Sequence, residues 1–124
     1  MNWLDITEFD GLDLSESYVL GWLRKDNQMT FQADFAVAPD HPTYSPPLPT
    51  EYAHFRLGTL SFSNVKSAKG LPDQSAVRPA IDASGEADYG HIESFTRNVG
   101  VCEIGLEFGI VNIEAESLLI LLPK

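Results

Sequence analysis

Asp82, Ser84, Glu86 and Asp88 place side-chain oxygens at alternate positions, and Glu93 falls twelfth when Asp82 is counted as first. That is the oxygen spacing of a calcium-binding EF-hand loop. The sixth position, however, is Ala87, where such a loop needs glycine for its sharp turn, and no helical period flanks the segment. A polar, solvated loop is therefore the default reading. His91 and Glu93 stand two apart and share a face if the stretch is a strand, so they suit a metal or an acid–base pair only if a third ligand arrives from elsewhere. His41 and His54 fall in a loop and in a different strand, and no histidine pair has local ligand spacing. The pairs Glu103/Glu107 and Glu114/Glu116 could do proton transfer in a cleft, but as written they are the wet faces of strands.

Other chemistry is absent from the sequence. The chain has no GxSxG elbow, phosphate-binding P-loop, dinucleotide glycine pattern, HExxH or CxxC pair. Cys102, the single cysteine, shares its parity with Ile104 and Leu106 and has no basic neighbour in view, which makes it a buried, inert thiol. No catalytic residue, metal ligand or cofactor is assigned, and the expectation is a protein that is not an enzyme.

Composition narrows the partners. Eighteen acids against eight bases give a formal charge of −10, a field that repels phosphate backbones and anionic lipid and favours cationic partners. Nucleic acid and membrane are disfavoured, although acidity also serves solubility alone. One cysteine allows no internal disulfide, and no basic stretch followed by an apolar run opens the chain, so a reducing cytoplasm is the expected compartment. At 124 residues and 44% hydrophobic content, one domain over 1–124 can bury a core without staples.

Two stretches could hold a protein partner. Asp5, Glu8, Asp10, Asp13 and Glu16 occur with no base among Trp3, Leu4, Ile6, Phe9 and Leu12. Either this is an acidic and aromatic patch that docks a basic protein, or the aromatics cover one end of the core while the acids are simply solvated. The second stretch is 38–50, with Pro39, Pro42, Pro46, Pro47 and Pro49 around His41 and Tyr44. Five prolines in eleven residues cannot supply a sheet's donors, so a long loop is expected, with a stiff surface that a partner could use. A small molecule would instead use a barrel mouth lined by Tyr18, Trp22, Tyr44 and Tyr89.

The positioning elements are strands. Cys102, Ile104, Leu106, Phe108 and Ile110 alternate with Glu103, Gly105, Glu107 and Gly109, and the apolar parity then moves to Val111 and Ile113. One continuous strand with a β-bulge near Gly109 accounts for that shift. Glu114 to Ser117 then reads as a hairpin connection, and Leu118 to Leu122 as a central strand buried on both faces. Met29 to Val37 alternates with one core face. Tyr18 to Lys25 is apolar on both faces and fits mid-sheet, and Asp26, Asn27 and Gln28 join the two as a hairpin. Tyr52 to Val65 is a strand whose parity changes at Gly58, suggesting a second bulge or a corner. Lys66 to Asp88 is a long irregular connection with one short strand around Ala76 to Ile81, and Gly90 to Thr96 is a last short strand. Trp3, Ile6 and Phe9 are spaced for a short helical turn ended by Gly11. The weakly charged edge from Tyr18 to Val37 suits pairing with a second copy, so a homodimer is expected.

In order, these strands, with LSFSNV at Leu60 to Val65, HIESF at His91 to Phe95 and EIGLEFGIVNIEAE at Glu103 to Glu116, resemble small uncharacterised bacterial families, some grouped with immunity proteins of polymorphic toxin systems. The resemblance implies a cytosolic, non-catalytic protein that binds a toxin, and an acidic surface suits a basic nuclease because complementary charge accelerates association. The expected fold is all-β: an antiparallel β-sandwich or partly open barrel of about six to eight strands with one long Pro-rich loop. The expected function is an acidic protein-binding domain. A small-molecule-binding barrel or sandwich is the alternative, and metal-assisted catalysis around His91 and Glu93 a third reading.

Overall fold

The computed structural model describes residues 1–42, 44–46, 49, 54–81, 83 and 85–122. Among them the chain is all-β. Its strands are β1 (Leu12–Lys25), β2 (Gln28–Val37), β3 (His54–Lys69), β4 (Ala80–Ile81), β5 (Ala87–Asp88), β6 (Ile92–Asn98), β7 (Val101–Leu106) and β8 (Gly109–Leu121). Six of them form one antiparallel sheet in the order β1-β2-β3-β8-β7-β6, while β4 and β5 pair as a small ribbon. The large sheet is thus two meanders, β1–β3 and β6–β8, joined through their last strands.

The sheet curls until its two edges meet. The Val19 N–H donates to the Gly90 carbonyl (2.9 Å) and the Tyr89 N–H to the Val19 carbonyl (2.8 Å), with a bridge between Tyr18 and His91. The result is a partly open barrel, with β1 at an edge rather than mid-sheet. Its apolar second face is explained by what covers it: the Trp22 N–H donates to Gln74 Oε1 (2.7 Å) and the Trp22 indole N–H to the Pro72 carbonyl (3.0 Å). At Val19 and Trp22 the edge that a second copy would pair with is therefore occupied by the chain's own 72–90 connection.

Curling depends on a break in β1. Asp13 pairs with Ala36, yet the next partner, Asp34, meets Tyr18, so Leu14 to Ser17 bulge out of the ladder and bend the strand. Ser17 is fully buried and mends the break: its hydroxyl donates to the Asp13 carbonyl (2.8 Å) and accepts the Ala36 N–H (3.0 Å). Ser17→Ala removes the partner of both backbone groups and leaves the buried Ala36 N–H unsatisfied, and a loss of roughly 1–3 kcal/mol is expected. Urea denaturation would check this; an unchanged midpoint would mean that neither group depends on the hydroxyl.

The core is a train of aromatic rings. Phe9 meets Phe95 edge-on at 4.9 Å, Phe95 stacks on Phe62 at 6.5 Å, Phe62 meets Phe31 at 6.2 Å, and Phe31 lies 6.4 Å from Trp22. Two 3-10 turns, Trp3–Asp5 and Thr7–Phe9, carry Ile6 and Phe9 into one end of the barrel. Among the described residues no helix is long and apolar enough to cross a membrane.

Four strand readings are corrected. The parity shift after Ile110 comes from a reversal of the chain, not a bulge: Leu106 pairs with Gly109, so Glu107 and Phe108 are a two-residue hairpin loop. Glu114 to Ser117 then lie inside β8, paired with β7 and β3. Leu118 is buried, but Leu119 and Leu121 are 58% and 55% exposed, so among the described residues this run is buried on one face only. Gly58 sits in unbroken register opposite Ala33. It is glycine because a Cβ there would stand 2.6 Å from the Leu121 carbonyl oxygen. The parity change of β3 comes instead at Asn64, whose φ is +53°, followed by a register shift before Ser67. Tyr52, the expected start of that strand, lies outside the described residues.

Candidate functional site

The sequence separated the acidic N-terminal segment from the Pro-rich loop, and the fold joins them. The Ala38 N–H donates to the Gly11 carbonyl (2.8 Å), and the His41 ring covers Gly11, whose φ of +77° and lack of a side chain let it approach. Asp10 and Asp40, beside Gly11 and His41 in sequence, are both exposed, as are Asp5 and Glu16. Tyr44 packs against the core with its ring 6.1 Å from that of His54.

Not every residue expected in this patch is exposed and unengaged. Phe9 is 2% exposed and belongs to the core, because the 3-10 turn that carries it points inward at Phe95; it is removed from the partner surface. Trp3 is half-buried and packs on the same cluster. Asp13 accepts a 2.6 Å hydrogen bond from the Ser15 hydroxyl. Glu8 is engaged with Arg97 at 3.0 Å. Its partial burial raises the carboxyl pKa, but hydrogen bonds from Thr7, its own backbone and Arg97, with the Arg97 charge, outweigh burial and hold it below the ordinary value.

The sign of that shift fixes a pH window. The contribution of Glu8 is complete above the pKa of an unfolded glutamate, about 4.3, and is lost as pH falls through the lower folded value. Glu8→Gln is expected to cost less than about 1 kcal/mol at neutral pH and to flatten the stability profile on the acid side. Thermal melts at two pH values would check it; a loss that grows with acidification would contradict the assignment.

A second site lies at the seam where β1 meets the residues before β6. An open cleft of about 410 Å³ is lined by Tyr18, Asp88, Tyr89, His91, Glu107 and Phe108, with Arg78 from the connection. Tyr18 lies 4.1 Å from the His91 ring. Behind the cleft, Trp22 contacts Tyr89 and Phe108, each at 5.0 Å. The Glu107 carboxylate accepts the His91 N–H and stands 3.5 Å from His91 Nδ1, and Asp88 accepts the Gly90 N–H at 2.9 Å. Of the four aromatics expected around a ligand, Tyr18 and Tyr89 line this cleft, Trp22 backs it, and Tyr44 lies elsewhere. The cleft is outside the barrel; inside it, a void bounded by Val19, Phe31 and Leu60 measures about 10 Å³, at the lower limit for one water.

His91 therefore finds its carboxylate on the β7–β8 loop and not at Glu93, which is exposed on β6. A carboxylate beside an imidazole can orient a general base, but the described lining holds no serine, threonine, cysteine or lysine to serve as nucleophile. Asp82 and Ser84 of the EF-hand-like spacing lie outside the described residues. Asp88 is in β5, paired with Ala80, and among the described residues no group of three His, Cys, Asp or Glu side chains is placed to hold a metal. Cys102 is buried as expected. Desolvation pushes its thiol pKa up, against the pull of Arg97 and with the help of Glu8.

The roles of Glu107 and Phe108 were missed from the sequence. Gly109 after EF was a usable turn signal, but the apolar parity carried through Phe108 masked it. Compared with known proteins, the chain matches no family model, no curated protein and no solved structure.

Proposed function

We infer that this chain is a non-catalytic, acidic binding domain whose partner is a basic protein. The observation that carries the reading is the union of the N-terminal segment with the Pro-rich loop at Gly11 and His41, which brings the segments bearing Asp10 and Asp40 together. A net charge of −10 adds long-range attraction for a cationic surface. In the narrower form that the strand motifs suggest, the partner is a basic toxin and this chain is its immunity protein.

The test is a pull-down with tagged protein from lysate of the encoding organism, at low and at high salt, beside the variant D5N/D10N/D40N. All three positions are exposed, so the fold should survive, as circular dichroism would verify. A single basic protein should be retained at low salt and depleted about tenfold or more both by high salt and by the variant, since exposed charge pairs are screened. Capture insensitive to salt and to the variant, or no capture at all, would overturn the reading. A nuclease as the captured protein would support the immunity form.

A further inference from the structure

We propose that the seam cleft is a receptor for an arginine side chain of that basic partner. The inference rests on the reading above for the partner's identity, but the cleft carries its own evidence. Its volume, about 410 Å³, lies within the range of sites that enclose small organic groups. The rings of Tyr18, Tyr89 and Phe108 line it together with the carboxylates of Asp88 and Glu107. Aromatic faces carry negative potential and attract organic cations. A guanidinium also stacks flat on rings while its edge donates in a fork to carboxylates, which an ammonium cannot do.

The lining is held in place by the fold. Tyr89 and Gly90 are fixed by their hydrogen bonds to Val19, and Tyr89 and Phe108 are backed by Trp22. Glu107 is fixed through the His91 N–H and Asp88 through the Gly90 N–H. Gly90 has a φ of +96°, and a Cβ there would collide with the Glu107 carboxylate, so the close approach of loop and seam depends on glycine. The titratable lining is Asp88, Glu107, His91 and Arg78, with the phenols of Tyr18 and Tyr89. Arg78 is exposed and is the fixed cation among them, so an anion is the competing occupant.

Both occupants can be tested with one set of probes. The full chain is titrated by amide NMR with acetyl-Gly-Arg-Gly-amide, with its citrulline and glutamate counterparts as controls. The arginine peptide should shift Tyr89, Gly90, His91 and Phe108 saturably, with a dissociation constant on the order of millimolar. The neutral citrulline peptide should bind at least tenfold more weakly. The variant D88N/E107Q keeps an acceptor for each backbone N–H while removing both charges, and should weaken the arginine peptide about tenfold. Equal binding of citrulline, no saturable shift with arginine, or preferential binding of the glutamate peptide would each overturn the proposal. Arginine-peptide binding with no basic partner in the pull-down would uphold the cleft and sink the partner reading. A basic partner retained equally by wild type and D88N/E107Q, with no peptide binding, would do the reverse.

Discussion

Phe95→Ala is expected to lower stability by about 3–5 kcal/mol, the usual range for deleting a buried aromatic ring from a core. Phe95 is fully buried and touches two other rings, edge-on to Phe9 and stacked on Phe62. It therefore couples the N-terminal 3-10 turn to the wall of β3. Loss of the ring removes its own burial and also leaves Phe9 without its partner. The turn that carries Phe9 is three residues long and cannot be stable by itself, so the N-terminal segment should loosen before the sheet does. For a chain of this size the midpoint of a thermal melt should fall by roughly 10–20 °C. Hydrogen exchange at Ile6 and Phe9 should accelerate more than at Phe31. A melt lowered by only a degree or two would mean that the surrounding side chains collapse into the space.

Gly58→Ala is the second large effect, expected at about 2–3 kcal/mol, within the cost of overpacking a well-packed site. A methyl at Gly58 would stand 2.6 Å from the Leu121 carbonyl oxygen and 3.1 Å from the Phe35 ring. The ring and the Leu122 side chain can shift, but the carbonyl is backbone of β8, so relief requires β3 and β8 to separate. Those are the strands that join the two meanders. Amide shifts should change along both strands, and the melting midpoint should fall by roughly 6–12 °C. A variant as stable as the parent would show that β8 slides past Gly58 without penalty.

What could be read beforehand was whatever depends on one side of a strand meeting a core. Met29 to Val37 alternates because every second side chain enters the barrel, and β2 spans Gln28–Val37. The burial of Cys102 follows from the same parity. The failures come from features that parity cannot carry. Phe108 continues the apolar alternation of β7 although it sits in the hairpin loop, because its ring is recruited sideways by Trp22. Glu114 and Glu116 look like a turn, yet they are exposed positions within β8. Leu119 and Leu121 look buried because apolarity in a strand does not reveal whether a second layer covers it. The seam cleft was visible only as unconnected residues: Tyr18, Tyr89 and His91 had been named, but their meeting requires closure of the sheet, and Glu107 came from the far end of another hairpin.

Closure also sets how the chain must fold. Within each meander the strands are neighbours in sequence, so β1–β3 and β6–β8 can form by local hairpin pairing. The contacts that complete the barrel are distant: Trp22 and Gln74 are separated by 52 positions and Glu8 and Arg97 by 89. Loop-closure entropy makes such pairings late and slow, placing refolding in the range of about milliseconds to seconds. Until the seam shuts, the outer backbone groups of β1 and β6 are bare, and a newly made chain is at that stage a strand-pairing template for its neighbours. In the folded chain Gln74, Tyr89 and Gly90 occupy the edge of β1 at Val19 and Trp22, so closing the seam removes that stretch of edge as a template.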